Sequence, residues 1–404
     1  MNVNDVLNTF DPNELVEKYG SPIYVYSENI IREKCNDMKN LINLPNFTVN
    51  YSAKANSNLH VLEIVHEEGL TVDAMSPGEI FVELKAGFTP DRILYISNNV
   101  SEDEFQYAID ANVKISVDSV SQLEMYGKLN PGGEVFIRFN PGVGAGHHEK
   151  VITGGKDTKF GVDQLFIDDV KVILQKYNLK LSGVNQHIGS HFDDGDLYIA
   201  GVKSLLNIAK QFNGIKFIDF GGGFGLPNKK SDNYLNIQKL GNRLDKLLKE
   251  EIKYFDNDIT FMVEPGRYIV AESGVLLGTV HSVKTNYNKT YIGTDLGFNT
   301  FIRPTLYDAD HEIEVFNNSE IEEKVTIVGN ICESGDIIAK DRLLPKISEN
   351  DIIGIRNAGA YGYSMCSNYN NRLRPAEVLI TKNGDDKLIR RRDTLEDLLN
   401  NYDY

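Results

Sequence analysis

FTVNYSAKANSNLHVLEIVHEEGLTVDAMS, residues 47–76, is the stretch from which the fold can be read. It opens with a β-branched and aromatic run, continues with apolar residues at helical spacing up to Gly69, and returns to a second strand-like run at LTVDAMS. Strand, helix, strand is the repeating unit of a parallel α/β fold. The unit recurs: RILYISN (92–98), VKISVDS (113–119), EVFIRFNP (134–141), LSGVNQHIG (181–189), IKFIDFGGG (215–223) and ITFMVEPG (259–266) bring the strand-like runs to eight. Segments such as PGEIFVELKAG (77–87), acidic early and stopped by Gly, supply the helices between them. Eight repeats over about 220 residues predict a (β/α)8 barrel, with a doubly wound open sheet as the alternative. The polar residues decide between the two. Lys54, Asp73, Asn98, Asp118, Asn140, His187, Gly221 to Gly223 and Glu264 stand at or just beyond the C-terminal ends of their strands. In a closed barrel those ends converge on one mouth, whereas an open sheet would scatter them along an edge.

Past about residue 275 the helices stop and alternating runs follow, GVLLGTVHSVKT, KTYIGTDLG, KVTIVGNIC, DIIGIRNAG and AEVLITKNG, which read as a C-terminal antiparallel β domain. SPIYVYS (21–27) has the same character and is expected to join it as a strand, giving a barrel over 28–275 and a β domain from 1–27 and 276–404. RRRDTLEDLLNNYDY, from Arg390, reads as a short terminal helix whose arginine run is a solvated face.

The 404 residues carry 42 Lys+Arg against 58 Asp+Glu, and a net charge of −16 argues against an electrostatic grip on nucleic acid or anionic lipid. The N-terminal stretch has no basic start and no apolar run of signal length, and no later stretch is long enough to span a membrane, so a cytoplasmic location is expected. Cys35, Cys332 and Cys366 are far apart and odd in number, which predicts reduced thiols and no zinc knuckle.

A lysine at a barrel mouth, as Lys54 would be, is made nucleophilic by burial. Three successive glycines at Gly221–Gly223 let backbone amides approach an anion, and loops after the last two barrel strands often cradle phosphate. Glu264 and Arg267 at the eighth strand end form either an ion pair or two ligand contacts. His187 could stack on an aromatic ligand or move a proton. His147 and His148 lack the spacing and carboxylate partners of a metal site, so no metal is expected, and the loop Gly142–Gly146 reads as a mobile lid. In the β domain, Cys332-Glu333-Ser334 follows a strand in a run too polar for a core, while Arg303, Tyr307 and Tyr361 add an anion binder and phenols.

Tyr51-Ser52-Ala53-Lys54-Ala55-Asn56, His187-Ile188-Gly189-Ser190, Gly221-Gly222-Gly223, Glu264-Pro265-Gly266-Arg267, Arg303-Pro304, Cys332-Glu333-Ser334, Gly359-Ala360-Tyr361 and Tyr369-Asn370 occur in this order along nearly the whole chain. In order and spacing the set resembles the pyridoxal-phosphate-dependent decarboxylases with an alanine-racemase-like barrel. The resemblance implies pyridoxal 5'-phosphate held by Lys54 as a Schiff base, its phosphate on Gly222, Gly223 and Ser190, its pyridine nitrogen on Glu264 and its ring under His187. Gly266, Arg267 and Tyr361 would complete the cofactor site. Cys332 would supply the proton that replaces carbon dioxide. Arg267, Arg303, Tyr307 and Tyr361 would face a second carboxylate on the substrate and Glu333 a second ammonium, which implies conversion of meso-2,6-diaminopimelate to L-lysine, the last step of lysine biosynthesis. A decarboxylase of ornithine, lysine or arginine is the alternative, and a racemase or a non-catalytic homologue are more distant ones. The resemblance also implies a homodimer with shared active sites.

Overall fold

The computed structural model describes residues 5–144, 153–156, 158–190, 192, 195–227, 235–255 and 258–403. Ala145 and Gly146 of the expected lid, and His147 and His148 after it, lie outside the described residues. The chain divides into two compact units. One comprises Lys34–Leu226 and Asn233–Tyr268, the other Met1–Glu33, Pro227–Asp232 and Ile269–Tyr404.

Numbering strands along the chain, β1 is Ile23–Ser27, and the first unit contains β2 (Phe47–Ser52), β3 (Thr71–Ala74), β4 (Ile93–Ile96), β5 (Lys114–Val117), β6 (Glu134–Arg138), β7 (Lys180–Asn185), β8 (Phe217–Asp219) and β9 (Thr260–Val263). These eight pair in sequence order, all parallel, and β9 closes onto β2 through Phe47 opposite Phe261 and Val49 opposite Val263. A parallel barrel covered by helices buries its strands on both faces, which is why the runs are so rich in Val, Ile and Phe. The helices start where the sequence supplies caps. Ser76 accepts from the Glu79 amide, Ser119 from the Gln122 amide, and Ser101 forms a reciprocal capping box with Glu104. Strands β3, β4 and β5 therefore run into short capped loops. The strand-end residues singled out above sit on the segments that follow the strands or on the last strand residues.

The second unit contains β1 together with β10 (Gly274–Asn286), β11 (Lys289–Thr294), β12 (Ile313–Val315), β13 (Glu322–Val328), β14 (Ile337–Pro345), β15 (Ile352–Ile355), β16 (Ala376–Ile380) and β17 (Asp386–Arg390). The sheet runs β14-β13-β11-β10-β1-β16-β17, with β15 also on β10 and β12 on β15. β1 pairs with β10, antiparallel to it. Its pairing with β16 and that of β11 with β13 are parallel, so the sheet is mostly rather than wholly antiparallel. Val25, Val275, Leu277 and Ile380 belong to its buried core. The tail departs from expectation. A 3-10 turn forms at Glu396–Leu399 in place of the expected helix, and the arginine run contacts its own chain: Arg390 buried Glu377, Arg391 Asp397 and Arg392 the Pro22 carbonyl.

Candidate active site

Lys54 lies in the 3-10 turn Ala53–Ala55 that follows β2, and buried Asp73 fixes where that turn begins. The Ser52 hydroxyl donates to Asp73 Oδ2 at 2.8 Å and the Ala53 amide donates to Oδ1 at 3.1 Å. Burial raises the Asp73 carboxyl above its ordinary range, and the Lys54 ammonium opposes that shift.

The Gly221–Gly223 loop is packed so closely that side chains have no room. A Cβ on Gly222 would lie 1.9 Å from the Glu264 carbonyl oxygen, and one on Gly223 would lie 2.2 Å from that of Gly189. The aromatic rings of Phe192, Tyr198 and Phe224 lie near the loop, Phe192 and Tyr198 stacked with centroids 4.9 Å apart. The Tyr198 hydroxyl donates to the Gly221 carbonyl at 3.0 Å, and the Phe192 amide donates to that of Gly223 at 3.1 Å.

The Gly222 amide donates to His187 Nδ1 at 3.1 Å, so the ring's own hydrogen belongs on Nε2. The sequence reading gave this amide to a phosphate; here it orients the imidazole. Burial, with Lys54 and Arg138 nearby, holds the His187 imidazolium well below its ordinary range, so the ring is neutral. Arg267 donates from Nη2 to the Ser190 hydroxyl at 3.4 Å, and Gly266 packs against Ser52 and Ala55.

Glu264 and Asp219 are the carboxyls of this site that carry its electrostatic strain. Burial pushes Asp219 up to about 7, and its Oδ1 accepts from the Gly221 amide at 2.9 Å. Burial, then Asp219 and Asp73, push Glu264 well above the usual carboxyl range, against the pull of Lys54 and Arg138. Its Oε1 is buried and has no hydrogen-bond partner among the described residues. Such an atom is costly unless a donor reaches it. Arg138 is a residue that the sequence reading passed over. It is a buried cation at the end of β6, over the Phe160 ring at 4.6 Å, and its signal was a charge closing an apolar strand.

The remaining expected site residues stand in the second unit, in two places. Arg303 opens the short helix Arg303–Tyr307 and is 1% exposed, its guanidinium carbon 5.7 Å from the Tyr307 ring and 5.9 Å from that of Tyr361. Cys332 and Glu333 are exposed on the loop between β13 and β14. There the Asn370 side chain accepts the Cys332 amide at 3.0 Å and the Tyr369 hydroxyl donates to Glu333 Oε1 at 2.6 Å. These contacts explain the presence of Tyr369-Asn370 in the motif set.

A strand-end amine, a glycine loop with no room for side chains and a buried carboxyl oxygen without a donor among the described residues stand in one barrel unit, and they fit a phosphorylated, nitrogen-containing aromatic aldehyde. Residues 28–271 match the family model for the pyridoxal binding domain of pyridoxal-dependent decarboxylases. The diaminopimelate decarboxylase of Methanothermobacter thermautotrophicus is 43% identical over 400 residues, covering 96% of this chain and 93% of that one. The crystal structure of diaminopimelate decarboxylase from Helicobacter pylori complexed with L-lysine superposes with a TM-score of 0.89 at 32% identity, over 96% of this chain and 98% of that one. The enzyme from M. jannaschii in co-complex with L-lysine gives 0.89 and 32%, over 97% and 94%. The chain belongs to the pyridoxal-dependent decarboxylases, and its cofactor is pyridoxal phosphate.

Proposed function

We propose that this chain decarboxylates meso-2,6-diaminopimelate to L-lysine, the last step of lysine biosynthesis. The observation that carries the reading is the degree of the likeness to diaminopimelate decarboxylases, 43% identity over 96% of the chain, against 20% for a lysine/ornithine decarboxylase that spans nearly as much of it; the match takes in the unit holding Arg303, Cys332 and Glu333 as well as the barrel. That favours diaminopimelate over ornithine, lysine or arginine as substrate.

When bound, pyridoxal phosphate supplies a ring that accepts the electron pair left at Cα as carbon dioxide departs. Lys54 would hold it through Nζ. The Gly223 amide and the Ser190 hydroxyl would take the phosphate, Gly222 serving instead through its close approach to Glu264 and its bond to His187. Glu264 Oε1 would accept the pyridine N–H, and a cation there would draw the raised carboxyl back to its charged form. His187, neutral and fixed in orientation, would lie against the ring, with Gly266, Arg267 and Tyr361 bounding the site.

Cys332 Sγ would deliver the proton to Cα. Arg303 and Arg267 would bind the carboxylate at the non-reacting end together with the phenols of Tyr307 and Tyr361, since a guanidinium fork matches a carboxylate bidentately. Glu333 would hold the ammonium beside it. Cys332 is exposed, and a thiol in open solvent has neither a fixed target nor protection for its proton. We therefore extend the proposal to a homodimer in which Cys332 and Glu333 complete the partner's site. A cytoplasmic location is part of the same reading. Among the described residues no helix is long and apolar enough to cross a membrane.

Arg303→Met tests the substrate assignment. Losing a charge-assisted hydrogen bond of about 1.5–3 kcal/mol should lower kcat/KM for diaminopimelate by about one to two powers of ten. Trace decarboxylation of lysine, which as a substrate has no distal carboxylate, should be spared. An equal fall on both substrates would show that Arg303 supports the fold or the cofactor and does not select the substrate.

A further inference from the structure

His311 is one of the most enclosed polar side chains of the β unit, 2% exposed, and no site motif contains it. The short helix that begins at Arg303 ends at Asp308, whose φ of 49° lies in the left-handed region and turns the chain back. Eight residues after Arg303, the imidazole of His311 meets it, and Arg303 Nε donates to His311 Nε2 at 3.3 Å. His311 Nδ1 lies 2.9 Å from the Arg356 carbonyl oxygen. A carbonyl can only accept and a guanidinium N–H can only donate, so the two contacts assign the ring as neutral with its hydrogen on Nδ1. The Phe301 ring meets the imidazole edge-on at 4.8 Å. Arg356 is itself anchored, its two Nη groups donating to Asp5 at 2.8 and 2.9 Å, so the carbonyl that His311 leans on belongs to a tethered residue.

We propose that His311 is a positioning residue for Arg303: by accepting the Nε–H it sets the plane of the guanidinium, and with it the affinity for the carboxylate at the substrate's non-reacting end. A guanidinium is planar and delocalised through Nε, so fixing the direction of that one N–H fixes where both Nη groups point. Distance alone would not do this. The rings of Tyr307 and Tyr361, 5.7 and 5.9 Å from the guanidinium carbon, bound its position but supply no acceptor along Nε–H in these contacts. The inference rests on the reading of Arg303 given above, and the test separates the two.

The probes are L-lysine, which keeps the distal carboxylate, and cadaverine, which differs from it only in lacking that group. Their binding to holoenzyme is measured by calorimetry beside steady-state kinetics on diaminopimelate. His311→Phe fills the space but offers no acceptor. It should weaken L-lysine binding and raise KM by about tenfold, with kcat within about twofold and cadaverine binding unchanged. His311→Gln, whose amide can accept from Nε and donate to the carbonyl, should keep L-lysine binding within about threefold of the parent. If His311→Phe does not fold, as judged by its melting temperature and cofactor absorbance, His311→Asn replaces it, being polar but too short to reach both partners. A parallel fall for L-lysine and cadaverine, no change for either, or no rescue by Gln overturns the proposal. Arg303→Met separates the premises: if it weakens L-lysine but His311→Phe does not, only the role of His311 is wrong, and if it leaves L-lysine unaffected the reading of Arg303 fails first.

Discussion

Asp219 closes β8 with its carboxyl fully buried, held to about 7 by burial, while an unfolded aspartate titrates at about 3.9. Between those values the folded protein binds a proton that the unfolded chain has released, so stability falls as pH rises. The contribution of Asp219 is complete below the unfolded value and is lost as pH climbs through the folded one. Cofactor-free protein should therefore be less resistant to urea at about pH 8 than at about pH 5, by a margin on the order of a few kcal/mol. Asp219→Asn should narrow that margin, though Asp73 and Glu264, raised in the same direction, keep it from vanishing. Equal margins for variant and parent would show that Asp219 does not titrate in this window. The buried acids also explain what was hard to read in the sequence. Lys54 and Glu264 announce themselves as odd residues at strand ends, whereas the shift on Glu264 depends on burial and on neighbours that arrive from other strands.

The Gly221–Gly223 loop shows how an element carries function that no single side chain displays. Gly222→Ala would place a methyl where 1.9 Å separates it from the Glu264 carbonyl oxygen, so the loop must move away from His187 and Glu264 together. Titration of cofactor into the stripped variant should show affinity lowered by about one to two powers of ten, and the cofactor-free form should itself melt at a lower temperature, because the methyl clashes with the protein's own backbone. Unaltered affinity would remove the loop from the site. The barrel elements were legible because the strands are short apolar runs, most ended by a polar residue and several followed by a helix cap. The β unit was less so. β14 mixes Lys340, Asp341 and Arg342 into its length, and β17 lies in DKLIR, where charge hides the alternation. The parallel pairings of β1 with β16 and β11 with β13 join residues far apart in the chain, which local periodicity does not report. His311 was invisible for a related reason: its meaning comes from a turn at Asp308 and a carbonyl at Arg356.

At the scale of the molecule, the residues proposed for chemistry are divided between two units. Lys54, His187 and Glu264 belong to the barrel unit, and Arg303, Cys332 and Glu333 to the β unit. If dimers share sites as proposed, Lys54→Ala and Cys332→Ala proteins should each be inactive and should complement when mixed under subunit exchange. Random pairing makes half the dimers mixed, each with one intact site of two, so about a quarter of wild-type activity should return. No recovery despite demonstrated exchange would exclude sharing.

The most direct measurement for the account as a whole is product identification. Purified protein is supplied with pyridoxal phosphate and, separately, meso-diaminopimelate, ornithine and lysine, and the amines formed are resolved by mass. The account predicts L-lysine from diaminopimelate and at most traces of putrescine or cadaverine from the other two. Preferential formation of putrescine or cadaverine, with diaminopimelate left intact, would contradict it.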